Sequence, residues 1–300
     1  MIVPGQRSLE TFIQQLVNGV SLGSIYALIA LGYTMVYGII KLINFAHGEV
    51  YMIGAFVGYA VPRLTGLGFF PAIIISMAAC ALLGFTIEKI AYRPLRQSSR
   101  ITMLITAIGV SLLLQYTMMF FVGAESRAYP NILEKTLYNM NGVIINSQQI
   151  YIILTTVVLM VLLQFIVKNT RQGKAMRAVS ADKDAAQLMG IDVNSTISFT
   201  FLIGSSLAGA AGVLVGIYYN SIDPLMGILP GLKAFVAAVF GGIGNIPGAM
   251  LGGLAIGIIE TMVAGYVNSM YRDAAVFALL IIILIIKPSG LLGRPSGEKV

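Results

Sequence analysis

Four side chains of this 300-residue chain carry a charge or a titratable ring within apolar surroundings: His47, Glu49, Lys233 and Glu260. An ionisable group there is expensive, so it either lines a wet path, binds a solute's ammonium or carboxylate, or is paired with an opposite charge. Asn44 and Asn245 lie beside them, with amides suited to capping the ends of interrupted helices. These six residues are the candidate lining of a translocation path. Reaction chemistry has little to work with. His47 is the only histidine and Cys80 the only cysteine, which excludes an intrachain disulfide, a Cys/His zinc site and a two-histidine metal motif. No Gly-x-Ser-x-Gly elbow accompanies His47. The one Gly-Lys pair, Gly173-Lys174, is followed by Ala175 and lacks the upstream glycine of a phosphate loop. The chain is therefore expected to be no enzyme and to bind no metal, cofactor or ATP of its own.

The surroundings are those of a membrane protein. AVILMFWYC residues make up 57% of the chain and charged residues 10%, against roughly 25% charged in soluble domains. Charge-poor runs fall at about 11–40, 50–62, 69–87, 101–122, 150–167, 196–218, 232–258 and 274–287. The first is too long for the core of a cleavable signal and lacks a small-x-small site, so it reads as a membrane helix. The net charge of +7 would raise the question of nucleic acid in a soluble protein, but here the cations are segregated. Lys89, Arg93, Arg96 and Arg100 form one group. Lys168, Arg171, Lys174, Arg177 and Lys183 form a second, and Lys287, Arg294 and Lys299 a third. With Arg7 these are 13 of the 19 cations. The positive-inside rule places all of these regions, and so both termini, on the cytoplasmic side, with 123–149 as an external, periplasmic loop.

Eight simple crossings conflict with that placement at both ends. The conflict disappears if 41–62 and 232–258 are broken elements that enter from outside and return. Each contains a break, at Lys41 to Glu49 and at Gly241-Gly242-Ile243-Gly244-Asn245-Ile246-Pro247-Gly248. Asn44 to Gly48 with Gly54 and Gly58 is similar to Asn245 to Gly248 with Gly253 and Gly257. The expectation is an all-α polytopic membrane protein of about eight hydrophobic elements, two of them broken or re-entrant, with a parallel internal repeat. Interrupted segments at matching positions point to a solute path; the alternative is glycine-rich packing turns, as expected of GxxxG spacings such as Gly19/Gly23 and Gly253/Gly257. The whole of 1–300 forms one membrane domain, with 168–195 as its longest cytoplasmic loop. Within that loop one short helix is expected, capped by Ser180 or Asp182 and stopped by Gly190. Ala181, Ala185, Leu188 and Met189 would share its apolar face. Lacking Phe, Trp and several Leu, that face suits a protein groove better than lipid.

The run from Leu22 to Ile40, continuing through Ile43-Asn44-Phe45-Ala46-His47-Gly48-Glu49-Val50-Tyr51-Met52-Ile53-Gly54, resembles the LivH-type permease of the high-affinity branched-chain amino-acid ABC importer. So do Met189-Gly190-Ile191, Lys233-Ala234-Phe235 through Ala249, and Gly290-Leu291-Leu292-Gly293-Arg294-Pro295. The resemblance spans nearly the whole chain and is weakest over 125–149. It implies a permease subunit in the bacterial inner membrane, working with a second homologous permease, two cytosolic ATPase subunits that use the ATP, and a periplasmic amino-acid-binding protein. The helix containing Asp182, Ala185, Leu188, Met189 and Gly190 would then dock on an ATPase. Leucine, isoleucine and valine are the implied substrates. Urea, short amides or other amino acids are the alternatives within the class, an ion-coupled secondary transporter the alternative outside it. Membrane lipid is an expected partner and nucleic acid is not.

Overall fold

The computed structural model describes residues 4–41, 43–140 and 142–293. Its elements are helical almost throughout. Helix α1 (Pro4–Ile40) has 37 residues, about 55 Å of helix, and so exceeds the roughly 30 Å hydrocarbon core. After the non-helical 41–46 stretch come α2 (His47–Thr65) and α3 (Phe69–Ile87). A π-helical turn at Glu88–Tyr92 and a 3-10 turn at Arg93–Leu95 extend α3. Then follow α4 (Arg100–Val122), β1 (Arg127–Ala128), the hairpin β2 (Leu137–Met140) and β3 (Val143–Asn146), and α5 (Ser147–Asn169). Two helices outside the bundle, α6 (Arg171–Ala181) and α7 (Lys183–Leu188), precede α8 (Val193–Tyr219). The chain ends with β4 (Ser221–Ile222), α9 (Ile228–Gly241), α10 (Ile246–Tyr266) and α11 (Arg272–Ile286).

Local chemistry explains several boundaries. The Ser99 hydroxyl accepts the Thr102 amide at the start of α4, and Asn146 with Gln149 forms a capping box at the start of α5. Gly66, with φ of 71°, closes α2 in the left-handed conformation. Among the described residues, seven helices are long and apolar enough to cross a membrane. Helix α2 is not among them because His47, Glu49 and Arg63 fall within it, and α9 has only 14 residues. The expected hydrophobic elements, about eight, are thus present among the described residues, with the 232–258 run divided into α9 and α10.

Contacts at the helix ends sort the loops onto two faces. Gln14 Nε2 donates to the Ile144 carbonyl at 3.0 Å and Gln14 Oε1 accepts the Ile144 amide at 2.8 Å, which puts the start of α1 beside the hairpin. Tyr59 meets Tyr129 near the end of α2, Phe69 meets Tyr151, and β1 pairs with β4 on the same face. On the opposite face Ser180 Oγ donates to the Gly38 carbonyl at 2.8 Å and Tyr92 Oη to Asn44 Oδ1 at 2.7 Å. The tail lies there too, with the Leu291 and Leu292 amides on the Phe240 and Gly241 carbonyls.

Three expectations are corrected by these contacts. The start of α1 and the C-terminal tail lie on opposite faces, not on the same one. Lone Arg7, whose side chain lies outside the described residues along with Arg294 and Lys299, weighs less in orienting the chain than the four cations between 89 and 100. The 41–62 element does not enter and return. From the face bearing the tail, residues 43–46 run back into the bundle, and α2 carries on to the hairpin face. Nor does the Gly241–Gly248 segment break at depth: it turns α9 into α10 at the face bearing the tail. The second break at depth is 220–227, which leads from the hairpin face down to the start of α9.

Taken in order, α1, α2, α3 and α4 run opposite in direction to α8, α9, α10 and α11, unlike the same-direction blocks of the expected parallel repeat. The packing obeys the same exchange, α1 lying antiparallel to α10 as α8 does to α3. Gly48 and Gly227 touch where the two half-helices α2 and α9 begin: a Cβ on Gly48 would lie 2.5 Å from the Gly227 carbonyl oxygen. Neither position accommodates a side chain.

Close helix contact yields a first prediction. A Cβ at Gly253 would collide with the Ala27 backbone, whereas one at Gly109 on α4 meets nothing within 4 Å. Gly253→Val should destabilise the purified chain by about 1–3 kcal/mol through overpacking. Gly109→Val should leave the thermal midpoint in detergent unchanged, and equal midpoints for the two variants would contradict this packing.

Candidate functional site

The six candidate path residues divide into three settings. Asn44 and Asn245 are architectural. Asn44 is 3% exposed and accepts the Tyr92 hydroxyl, tying the non-helical 41–46 stretch to the extension of α3. Asn245 caps α10 through the Gly248 amide at 3.2 Å, and its Nδ2 donates to the Leu292 carbonyl at 2.7 Å, holding the tail. Both amides satisfy backbone or side-chain groups at breaks in the helices.

Lys233 and Glu260 form a balanced charge network in the half of the bundle nearer the hairpin face. Lys233 Nζ lies 2.8 Å from Glu260 Oε1 and 2.6 Å from Asp273 Oδ1. Tyr26 donates to Glu260 Oε2 at 2.9 Å, and Arg272 Nε approaches Glu260 at 3.7 Å and Asp273 at 3.5 Å. Two cations and two anions thus join α9, α10 and α11, with α1 attached through Tyr26. A cleft of about 350 Å³, lined in part by Tyr51, Tyr219, Asp223 and Arg272, opens beside them. The pairing reading of Lys233 and Glu260 describes what these side chains touch.

His47 and Glu49 occupy the third setting, at the meeting of the half-helices. The His47 ring packs edge-on to Tyr33, centroids 4.7 Å apart, and fills the space a side chain at Gly32 would need. Glu49 is 2% exposed. Its Oε1 accepts the Ser111 hydroxyl at 3.3 Å, while Oε2 has no hydrogen-bond partner among the described residues. A cavity of about 190 Å³ lies against it, bounded by α1, α2, α4 and α9.

Sequence reading missed Asp273, Arg272, Ser111 and Glu88. Glu88 is fully buried, paired with Arg96 and the Ser198 hydroxyl, although its four basic neighbours made it look like part of a solvated loop. A carboxylate at i beside Arg96 at i+8 in an extended helical stretch was the available signal. No group of three or more His, Cys, Asp and Glu suitable for a metal occurs among the described residues.

The loop from 168 to 195 contains two helices, where one was expected. Helix α6 packs inward through Met176 and Val179. Helix α7 covers Lys183–Leu188, within the stretch expected between the Ser180 or Asp182 cap and the Gly190 stop. Asp182 caps it by accepting the Asp184 and Ala185 amides at 2.9 and 3.0 Å, and Gly190 ends it with φ of 82°. Ala181 belongs to α6 because the Asp182 cap breaks the helix, so the four-residue face is not continuous. Ala185 is exposed, and Leu188 and Met189 are 88% and 82% exposed. Burial lowers the Lys183 pKa, and Arg96 and Lys41 nearby lower it further. This end of the loop therefore offers two apolar side chains beside a crowded positive charge.

Seven apolar helices of membrane-spanning length among the described residues, with charge buried between them, define a polytopic helical membrane protein. Residues 15–286 match the family described as the permease component of the branched-chain amino acid transport system, and the chain belongs to that family. It is 46% identical to the high-affinity branched-chain amino acid transport system permease protein BraD of Pseudomonas aeruginosa, over 96% of this chain and 98% of BraD. Against the permease protein LivH of Escherichia coli K12 the identity is 44%, again over 96% and 98%. A probable branched-chain amino acid transport permease protein LivH of Methanocaldococcus jannaschii is 30% identical over 91% of this chain and 88% of its own length.

The ion network generates the second prediction. Lys233→Met leaves buried Glu260 short of its cation and should cost about 3–5 kcal/mol. Lys233→Met combined with Glu260→Met should recover most of that loss, since Asp273 keeps Arg272. Thermal unfolding of the purified single and double variants checks it, and additive losses would show that the pair is not coupled.

Proposed function

We propose that this chain is the membrane subunit through which leucine, isoleucine and valine pass inward across a bacterial inner membrane, in an importer driven by ATP hydrolysed on separate subunits. The observation that carries the reading is the family match from 15 to 286, joined to 44–46% identity along 96% of the chain with proteins named for this transport. The partners are a second homologous permease, two cytosolic ATPases and a periplasmic amino-acid-binding protein. The cation-rich face bearing α6, α7 and the tail is cytoplasmic, and the face bearing the β2–β3 hairpin and the start of α1 is periplasmic. Residues 168–195 couple to an ATPase, 123–149 to the periplasmic side. Exposed Leu188 and Met189 favour an apolar groove on the ATPase, and the positive charge at Lys183 favours carboxylates at its rim.

A second reading has one observation in its favour: half-helices running in opposite directions also build ion-coupled secondary transporters. Reconstitution separates the two. Leucine uptake into liposomes should require the ATPase subunits, ATP and the loaded binding protein. Uptake by this chain alone under a proton or sodium gradient, without ATP, would overturn the importer reading.

The docking assignment makes a third prediction. Leu188→Glu places a charge at the apolar tip, and Gly190→Pro forbids the positive φ that ends α7. Each should abolish co-purification of the ATPase while membrane insertion and yield stay unchanged. Undiminished co-purification would exclude α7 as the docking element.

A further inference from the structure

Glu49 differs from the other buried acids in having an oxygen that neither a hydrogen bond nor an ion pair reaches among the described residues. Glu88 faces Arg96, and Glu260 and Asp273 face Lys233 and Arg272, whereas no cation among the described residues pairs with Glu49. Its free Oε2 would lie 2.8 Å from a Cβ built on Gly227, at the junction where α2 and α9 both begin. The positive ends of two half-helices favour negative charge here, which lets the site hold a carboxylate without a resident cation. Structural carboxylates at such depth are normally fully paired. This one is held by a single weak bond from Ser111 and left open on the other side.

The cavity against Glu49 completes the chemistry. At about 190 Å³ it has room for roughly six waters. Besides Glu49 and Ser111, its lining is apolar: Tyr33 and Phe45, the glycines at the α2–α9 junction, and branched aliphatic side chains, among them Ile108 and Leu112 of α4 and Leu232 of α9. Leu112 is 46% exposed and Leu232 36%, so the mouth opens sideways on the flank of the bundle between α4 and α9. A cation-seeking oxygen at one end and branched aliphatic walls at the other fit a primary ammonium carried on a short aliphatic chain. We infer that Glu49 and the α4–α9 cavity form a transient subsite for the transported amino acid, its ammonium on Glu49 Oε2 and its side chain over Leu112 and Leu232. This rests on the importer reading, in which a second permease covers the flank and closes the path. A single anchoring charge lets a solute bind at mid-depth and leave again.

The test uses the assembled transporter in liposomes with saturating loaded binding protein, measuring leucine uptake and ATP hydrolysis side by side. Glu49→Gln keeps the shape and removes the charge; uptake should fall about tenfold while stimulated ATP hydrolysis persists, and Glu49→Asp should restore part of it. Uptake at the wild-type rate by Glu49→Gln overturns the subsite. Absence of leucine uptake by the wild-type complex overturns the importer reading beneath it, so the two failures are distinct. Should Glu49→Gln not assemble, Leu112→Trp, on an exposed part of α4, narrows the cavity without touching the charge. It should slow leucine and isoleucine more than valine. An equal effect on all three overturns the subsite as well.

Discussion

Backbone that is not helical cannot face hydrocarbon, because no water is there to satisfy its amides and carbonyls. Among the described residues this regularity is broken within the bundle at 43–46 and 220–227, and much of the bundle shelters the two breaks. Asn44, its backbone accepting the His47 amide and its side chain the Tyr92 hydroxyl, secures the first. The second is flanked by the β1–β4 pair on the hairpin face. Around both, α1, α8 and α10 are packed at glycine contacts so close that most of α1 and α8 is hidden from any lipid. Peripheral α4 and α11 have only 11% of their apolar window buried, leaving them to meet lipid or another subunit.

Charge is distributed in keeping with that frame. Lys233, Glu260, Asp273 and Arg272 neutralise one another, and fasten α9 to the helices behind it. Glu88 and Arg96 do the same where α3 runs out towards the basic loop. A network whose members are all matched holds helices together and is costly to break. Glu49 lies apart from both, beside the junction of α2 and α9, with one oxygen unused. The same residue type therefore has two physical roles in one bundle, and the distinction rests on whether a cation lies within reach.

The face bearing the tail brings the 168–195 loop close to the helix ends. Ser180, at the end of α6, is bonded to the Gly38 carbonyl, one turn from the end of α1 and close to where 41–46 begins. Gly38 in turn lies against Gly244 in the α9–α10 turn. Few contacts therefore separate the surface loop from the helix ends beside the first break and the α9–α10 turn.

Sequence by itself determined that the chain lives in a membrane, where its cations gather, and that a helix break falls between Lys41 and Glu49. Apolar run length and charge position depend on transfer free energy, which is a local property of a segment. The Asp182 cap and the Gly190 stop were legible for the same reason, being set by neighbours in sequence. Direction and depth were not. Whether 41–62 returned or crossed, whether the Gly241–Gly248 turn lay at depth or at a face, and whether the two sets of helices ran in the same or opposite directions all depended on contacts such as Gln14 with Ile144, Ser180 with Gly38 and Gly48 with Gly227. Those contacts join residues far apart in the chain. Pairing was equally hidden: Glu260 and Glu49 look alike in sequence, and only the tertiary structure brings Lys233 to one and leaves the other facing a cavity. Partners for a buried charge come from packing, which residue type and spacing do not specify.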